Sequence, residues 1–257
     1  MTGVLARPAG VLARPSGQDP ADAVAAPFVE WTRFLPWFVA SVGQGEHVGC
    51  IGQTRSGKTT LLQLLLSART DASQHWRSVV LANKVRDAEL DKWARRDGWR
   101  RVSSWDAIRQ HDRRVILWPK LKTDADFARQ ALVFDTALRE GFRQGAQTFM
   151  ADEIRYLAKT LGLKALVELW YLQGGSNGAG LWAGTQRAAW VPLEFYSQSR
   201  WLLLFRENSP EARKTLTNHC GGADGRQVAR IVARLERREF LCVDTWEGVL
   251  LRSKAVL

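Results

Sequence analysis

The chain has 257 residues, 46% of them apolar, enough for one core of ordinary α/β size. Its 37 Lys and Arg against 26 Asp and Glu give a formal charge of +11, which points to a polyanionic partner such as DNA or RNA, or to an acidic surface. Three cysteines, Cys50, Cys220 and Cys242, cannot all pair, which argues against a disulfide scaffold and for a reducing compartment. No apolar run reaches the length of a membrane span.

In chain order, the first 27 residues are rich in Ala, Pro, Gly and Asp, and Gly3-Val4-Leu5-Ala6-Arg7-Pro8 recurs as Gly10-Val11-Leu12-Ala13-Arg14-Pro15. Such a segment has little to pack and is expected to be a disordered tail. Its Arg-Pro pairs interrupt any signal-peptide pattern, so a cytoplasmic protein is expected. The aromatics Phe28, Trp31, Phe34, Trp37 and Phe38 are expected to clamp the end of this tail onto a core spanning 28–257.

The apolar run 47–51 predicts a buried strand. It leads into Gly52, Gln53, Thr54, Arg55, Ser56, Gly57, Lys58 and Thr59, which read G-x-x-x-x-G-K-T, and Thr60 opens an apolar helix predicted over 58–67. Strand, glycine loop and helix in this order form a phosphate cradle. The glycines let successive N–H groups turn inward. Lys58 can reach β- and γ-phosphates, the Thr59 hydroxyl can hold Mg²⁺, and the helix N-terminus favours the anion. Residues 52–60 are therefore the candidate ATP-binding set.

Further strands are predicted at 78–82, 115–118, 148–151, 180–184, 201–205 and 240–244, with helices at 124–142, 164–171, 210–217 and 227–237. Apolar strands alternating with helices predict a mostly parallel sheet covered on both faces. Residues 240–251, turning near Trp246-Glu247-Gly248, read as an antiparallel edge hairpin.

The strand at 148–151 ends in Asp152-Glu153. At a strand's carboxyl end Asp152 can hold Mg²⁺, and Glu153 beside a γ-phosphate can orient and deprotonate water. The next strand delivers Gln186, within Gly184-Thr185-Gln186-Arg187, to the same edge, where its amide can sense the γ-phosphate. Lys58, Glu153 and Gln186 are the candidate catalytic residues; Thr59 and Asp152 are the candidate Mg²⁺ ligands.

Together with Val80-Leu81-Ala82-Asn83-Lys84-Val85-Arg86-Asp87, these blocks resemble the HerA/FtsK superfamily of ring-forming ATPases, most of all viral genome-packaging ATPases. The match runs over about 43–251. The resemblance implies a RecA-like P-loop NTPase core, with the acidic strand separated from the loop strand by one other. It also implies a homo-oligomeric ring, hexameric or pentameric, that moves double-stranded DNA, with a portal or other packaging protein as a further partner. No membrane partner is expected, and the place of action is the cytoplasm, a host's if the protein is viral, or the virion. Two other readings are a nucleotide-gated assembly ATPase with weak hydrolysis and a plasmid or conjugative DNA-transfer ATPase. A small-molecule kinase fits poorly with Glu153 and the basic charge.

The sequence departs from the family at one place. Its members carry an Arg-rich turn before the glutamine strand, which supplies an arginine finger to a neighbour; here 173–178 reads Gln-Gly-Gly-Ser-Asn-Gly. Arg155, Arg187, Arg200 and Arg206 are the alternatives. For DNA, a stripe of Arg226, Arg230, Arg234 and Arg237 is predicted along the last helix. A second cluster combines Arg95, Arg96, Arg100 and Arg101 with Trp93 and Trp99. The resemblance adds Arg155, Lys159, Lys164 and the glycine-rich turn.

Overall fold

The computed structural model describes residues 26–123 and 126–256. Along the chain run α1 (Trp31–Ser41), β1 (His47–Ile51), α2 (Lys58–Asp71), β2 (Arg77–Leu81), α3 (Ala88–Arg96), β3 (Arg100–Val102), β4 (Arg114–Leu117), α4 (Phe127–Gln144) and β5 (Gln147–Ala151). Then follow α5 (Lys164–Gln173), β6 (Gly180–Thr185), α6 (Leu193–Ser197), β7 (Ser199–Phe205), α7 (Pro210–Asn218), α8 (Gly225–Val232), β8 (Glu239–Asp244) and β9 (Val249–Lys254). The GVLARP repeat lies outside the described residues.

The strands form one sheet in the order β3-β4-β2-β5-β6-β1-β7-β8-β9. Pairing is parallel from β3 to β7 and antiparallel from β7 to β9. The predicted α/β class, with its parallel centre and C-terminal antiparallel hairpin, is therefore observed. Strand β6 lies between the acidic strand β5 and the loop strand β1. All five residues of β1 and all seven of β7 are buried, as expected of strands covered on both faces.

Alternate residues of each strand feed two cores. Val79 and Leu81 join Phe134, Leu138 and Trp170 from α4 and α5, whereas Val80 joins Leu61 and Leu65 of α2 and Trp93 of α3. The aromatic spacing of α1 puts Phe34 and Phe38 on its buried face. Phe34 meets Phe240 edge-on at 5.1 Å between ring centroids, and Phe38 meets Trp201 at 5.4 Å. Beside this helix, the Val29 N–H donates to Arg252 O (2.8 Å) on β9, so the chain leading into α1 is fastened to the edge strand.

One sequence expectation fails for a physical reason. The helix predicted over 227–237 ends at Val232, whose carbonyl accepts the Glu207 N–H (3.1 Å). Val228, Ile231 and Leu235 are buried as expected, but Arg234 and Arg237 fall beyond the helix and the four-arginine stripe is broken. In the second basic cluster Arg95, Arg96 and Arg101 are exposed, and three of its arginines have acidic neighbours. Arg101 pairs with Asp91, Arg100 with Asp112 and Arg96 with Asp97, while Trp93 and Trp99 are buried with centroids 4.5 Å apart. Short strand β3 and helix α3, neither predicted, carry these residues.

At the sheet edge reached by the amino ends of the parallel strands, Arg200 is 3% exposed. It donates to Glu46 Oε1 (2.6 Å) and Asp244 Oδ2 (3.0 Å), and Trp201 Nε1 donates to Glu46 Oε2 (2.7 Å). The Gly174–Asn177 turn lies at this same edge, where the Ala146 N–H donates to Asn177 O (3.0 Å). It is at the far end of β6 from Gln186.

Candidate active site

The carboxyl ends of β1, β5 and β6 bring the predicted residues together. The loop after β1 turns at Arg55 (φ 65°) and Gly57 (φ 109°). The second value is open to glycine and strained for any side chain. Gly57 precedes the first turn of α2, whose free N–H groups face the loop. Lys58 is buried, and its Nζ donates to Gln53 O (3.1 Å) across the loop. Thr59 Oγ1 donates to Asp152 Oδ1, joining the loop to the end of β5.

Glu153 follows on the same edge. Its Oε2 accepts the Gln186 N–H (3.1 Å) and its Oε1 the Arg155 N–H (3.3 Å). Burial pushes this carboxyl above the ordinary glutamate value of 4.5. The Gln186 and Arg155 N–H groups, the Thr185 hydroxyl and the Lys58 charge act in the opposite direction. The Gln186 side chain reaches back, its Oε1 accepting from Thr54 Oγ1 (3.0 Å). A hydrogen-bonded chain thus runs from the loop through Gln186 to Glu153. Thr54 was legible only as a variable position of the motif; its link to Gln186 spans 132 residues.

A cleft of about 440 Å³ opens here, lined by Gln53, Thr54, Gln186, Arg187, Glu207, Ser209 and Glu211 among others. The residues present fit Mg²⁺ by their chemistry. The Thr59 hydroxyl and an Asp152 oxygen are in contact, and both are hard oxygen donors. Among the described residues no group of three His, Cys, Asp or Glu could hold a metal alone, so an ion at this pair would complete its shell from water or phosphate, as Mg²⁺ does.

Gly184 keeps this edge tight. A Cβ added there would lie 2.3 Å from Asp152 O, and backbone cannot yield cheaply. Gly184→Ala is expected to cost about 1–3 kcal/mol, in the range for overpacking, and to lower turnover by displacing Asp152 and Glu153. Urea denaturation and ATP turnover measure both effects; wild-type values in each would remove the argument.

Lys84 and Asp87, singled out by the fourth block, pair at 2.9 Å. Asp87 also caps α3 by accepting the Leu90 N–H (3.0 Å). Of the alternative arginines, Arg200 is locked in its buried cluster away from this edge. Arg155 and Arg187 flank Glu153 and Gln186 in a smaller cleft. Arg206 stands on the other side of the loop with Arg237 and Arg238, in a cleft of about 180 Å³. Lys164 opens α5 and pairs with Glu168 at 3.4 Å. Arg226 and Arg230 are exposed on α8.

At the level of sequence, no family model and no curated protein matches the chain. Solved structures do. The genome-packaging NTPase B204 of Sulfolobus turreted icosahedral virus 2, in complex with AMPPCP, superposes with a TM-score of 0.61 at 16% identity, covering 84% of this chain and 100% of that one. VirB4 of Thermoanaerobacter pseudethanolicus gives 0.59 at 11% identity, covering 82% of this chain and 89% of that one. The cytoplasmic domain of the Thermomonospora curvata type VII secretion ATPase EccC gives 0.55 at 18% identity, covering 83% of this chain and 26% of that one. The fold is that of these P-loop ATPases.

Proposed function

We propose that the chain is an ATP-hydrolysing motor subunit that moves double-stranded DNA, acting in genome packaging. The observation that carries this reading is the convergence of Lys58, Thr59, Asp152, Glu153 and Gln186 on one sheet edge, joined by the Thr59–Asp152, Thr54–Gln186 and Gln186–Glu153 hydrogen bonds. The likeness to a packaging NTPase and the charge of +11 support the DNA substrate.

In this mechanism the loop N–H groups and Lys58 bind the β- and γ-phosphates. Thr59 and Asp152 hold Mg²⁺, which when bound neutralises charge on the phosphate oxygens. Glu153 accepts a proton from a water that attacks the γ-phosphorus; the β–γ bridging P–O bond breaks, leaving ADP and orthophosphate. Gln186, tied to the loop and to Glu153, orients that water and responds to the γ-phosphate. Copies assemble as a ring around the duplex, and contacts from exposed lysines such as Lys159 and Lys164 follow the backbone without reading sequence.

A second reading, a nucleotide-gated assembly protein with weak hydrolysis, is favoured by one feature: the turn before β6 has no arginine and lies at the opposite edge. ATP hydrolysis with and without long duplex DNA, at low and moderate salt, separates the two. Stimulation by duplex that fades with salt is expected of the motor. ATP binding without stimulated turnover would transfer the assignment to the assembly protein.

A further inference from the structure

Gln186 and Arg187 form a wall common to two clefts. On one side is the 440 Å³ cleft reached by the phosphate loop; on the other is a smaller one of about 190 Å³, bordered by Glu153, Arg155, Tyr156 and Thr160. We propose that the smaller cleft is an exit site for orthophosphate, with Arg155, Thr160 and Arg187 as its anion-binding groups and Gln186 as the bar across its inner end. The proposal rests on the ATPase reading and adds to it the route by which one product leaves.

Charge separates the two routes. The larger cleft is bordered by the carboxylates of Glu207 and Glu211, and Glu207 is buried at 4% exposure. An orthophosphate dianion leaving that way passes two acids, the buried Glu207 and the exposed Glu211, against the single guanidinium of Arg187. The smaller cleft sets two guanidinium groups, Arg155 and the shared Arg187, against the one carboxylate of Glu153, with the Thr160 hydroxyl as a further donor; the planar guanidinium forks match phosphate oxygens. Its volume is several times the roughly 30 Å³ share of one water, which leaves room for orthophosphate and part of its hydration shell.

The outer wall is fixed by a buried relay. Tyr156 OH donates to Gln130 Oε1, and Gln130, fully buried, donates to Ala82 O (3.3 Å) at the end of β2. Residues Tyr156–Thr160 are wound as a π-helix, a rare geometry concentrated at functional sites, and this segment places Tyr156 and Thr160 on one cleft. The inner wall is held more lightly. The Gln186 amide is fastened to the loop by one bond from Thr54 (3.0 Å). Exchanging that bond lets the side chain swing while its main-chain N–H stays on Glu153.

The test titrates inorganic phosphate into the full-length chain loaded with ADP, by calorimetry. In parallel, a fluorescent phosphate sensor is compared with chemical quench in a single ATP turnover. Arg155→Gln is expected to weaken phosphate binding about tenfold, and Thr160→Val several-fold, with sensor and quench traces separating further than in wild type. Titration of the same variants with ADP reports whether the phosphate loop is intact. Phosphate affinity in Arg155→Gln equal to wild type overturns the site. Loss of affinity in a chain that never hydrolyses ATP would remove the ATPase reading and the exit role with it, leaving an oxyanion site of other purpose.

Discussion

Glu153→Gln is expected to bind ATP as wild type does and to turn it over about 10²- to 10⁴-fold more slowly, the range a positioned general base supplies. The substitution keeps the shape and one acceptor oxygen, which can take the Gln186 N–H (3.1 Å) while the Arg155 N–H (3.3 Å) loses its acceptor, so most of the pocket survives and the base is lost. The pH profile carries a second signature. Proton abstraction needs the carboxylate, so the rate rises with pH through the Glu153 pKa and levels above it. Burial has moved that pKa above 4.5, so the acid limb falls at higher pH than an exposed glutamate would give. In the Gln variant this limb should vanish from the residual rate. Unchanged phosphate release from Glu153→Gln would remove Glu153 from the mechanism.

Arg200→Ala is expected to cost about 3–5 kcal/mol, the penalty for breaking a buried ion pair by deleting one partner. Glu46 and Asp244 lose their common cation together, at side-chain exposures of 14% and 6%. The prediction also decides a functional question. An arginine finger would lose turnover with stability retained; a structural Arg200 loses stability first. Denaturant unfolding followed by ATP turnover of the folded fraction reads both. A cost below about 1 kcal/mol, the level of a surface pair, would show the cluster to be solvated.

The site was legible in the sequence because its parts are local. Residues 52–59, Asp152-Glu153 and Gln186 each sit at the end of an apolar run, and parallel strands deliver such ends to one edge. Strands β1, β5, β6 and β7 are mostly apolar for the same reason. What escaped notice depends on distant partners. Strand β3 is three residues, two of them arginines whose charges are met by Asp91 and Asp112, so it reads as a basic surface. Helix α8 stops because a backbone N–H from after β7 takes its last carbonyl, and no glycine or proline announces that. The Thr54–Gln186 link has no sequence signature, since both residue types are common and the bond joins residues 132 positions apart.

The Arg200 cluster ties the residue before β1, the start of β7 and the end of β8 into one knot, on the edge opposite the nucleotide loops. The two edges of the sheet are therefore held differently: the ends of β1, β7 and β8 are bound by buried ion pairs, whereas the Gln186 side chain meets the loop through a hydrogen bond from Thr54. Rearrangement on ligand binding would then be confined to the rim where the loops emerge, and amide exchange there would change while that around Arg200 and Asp244 stays the same.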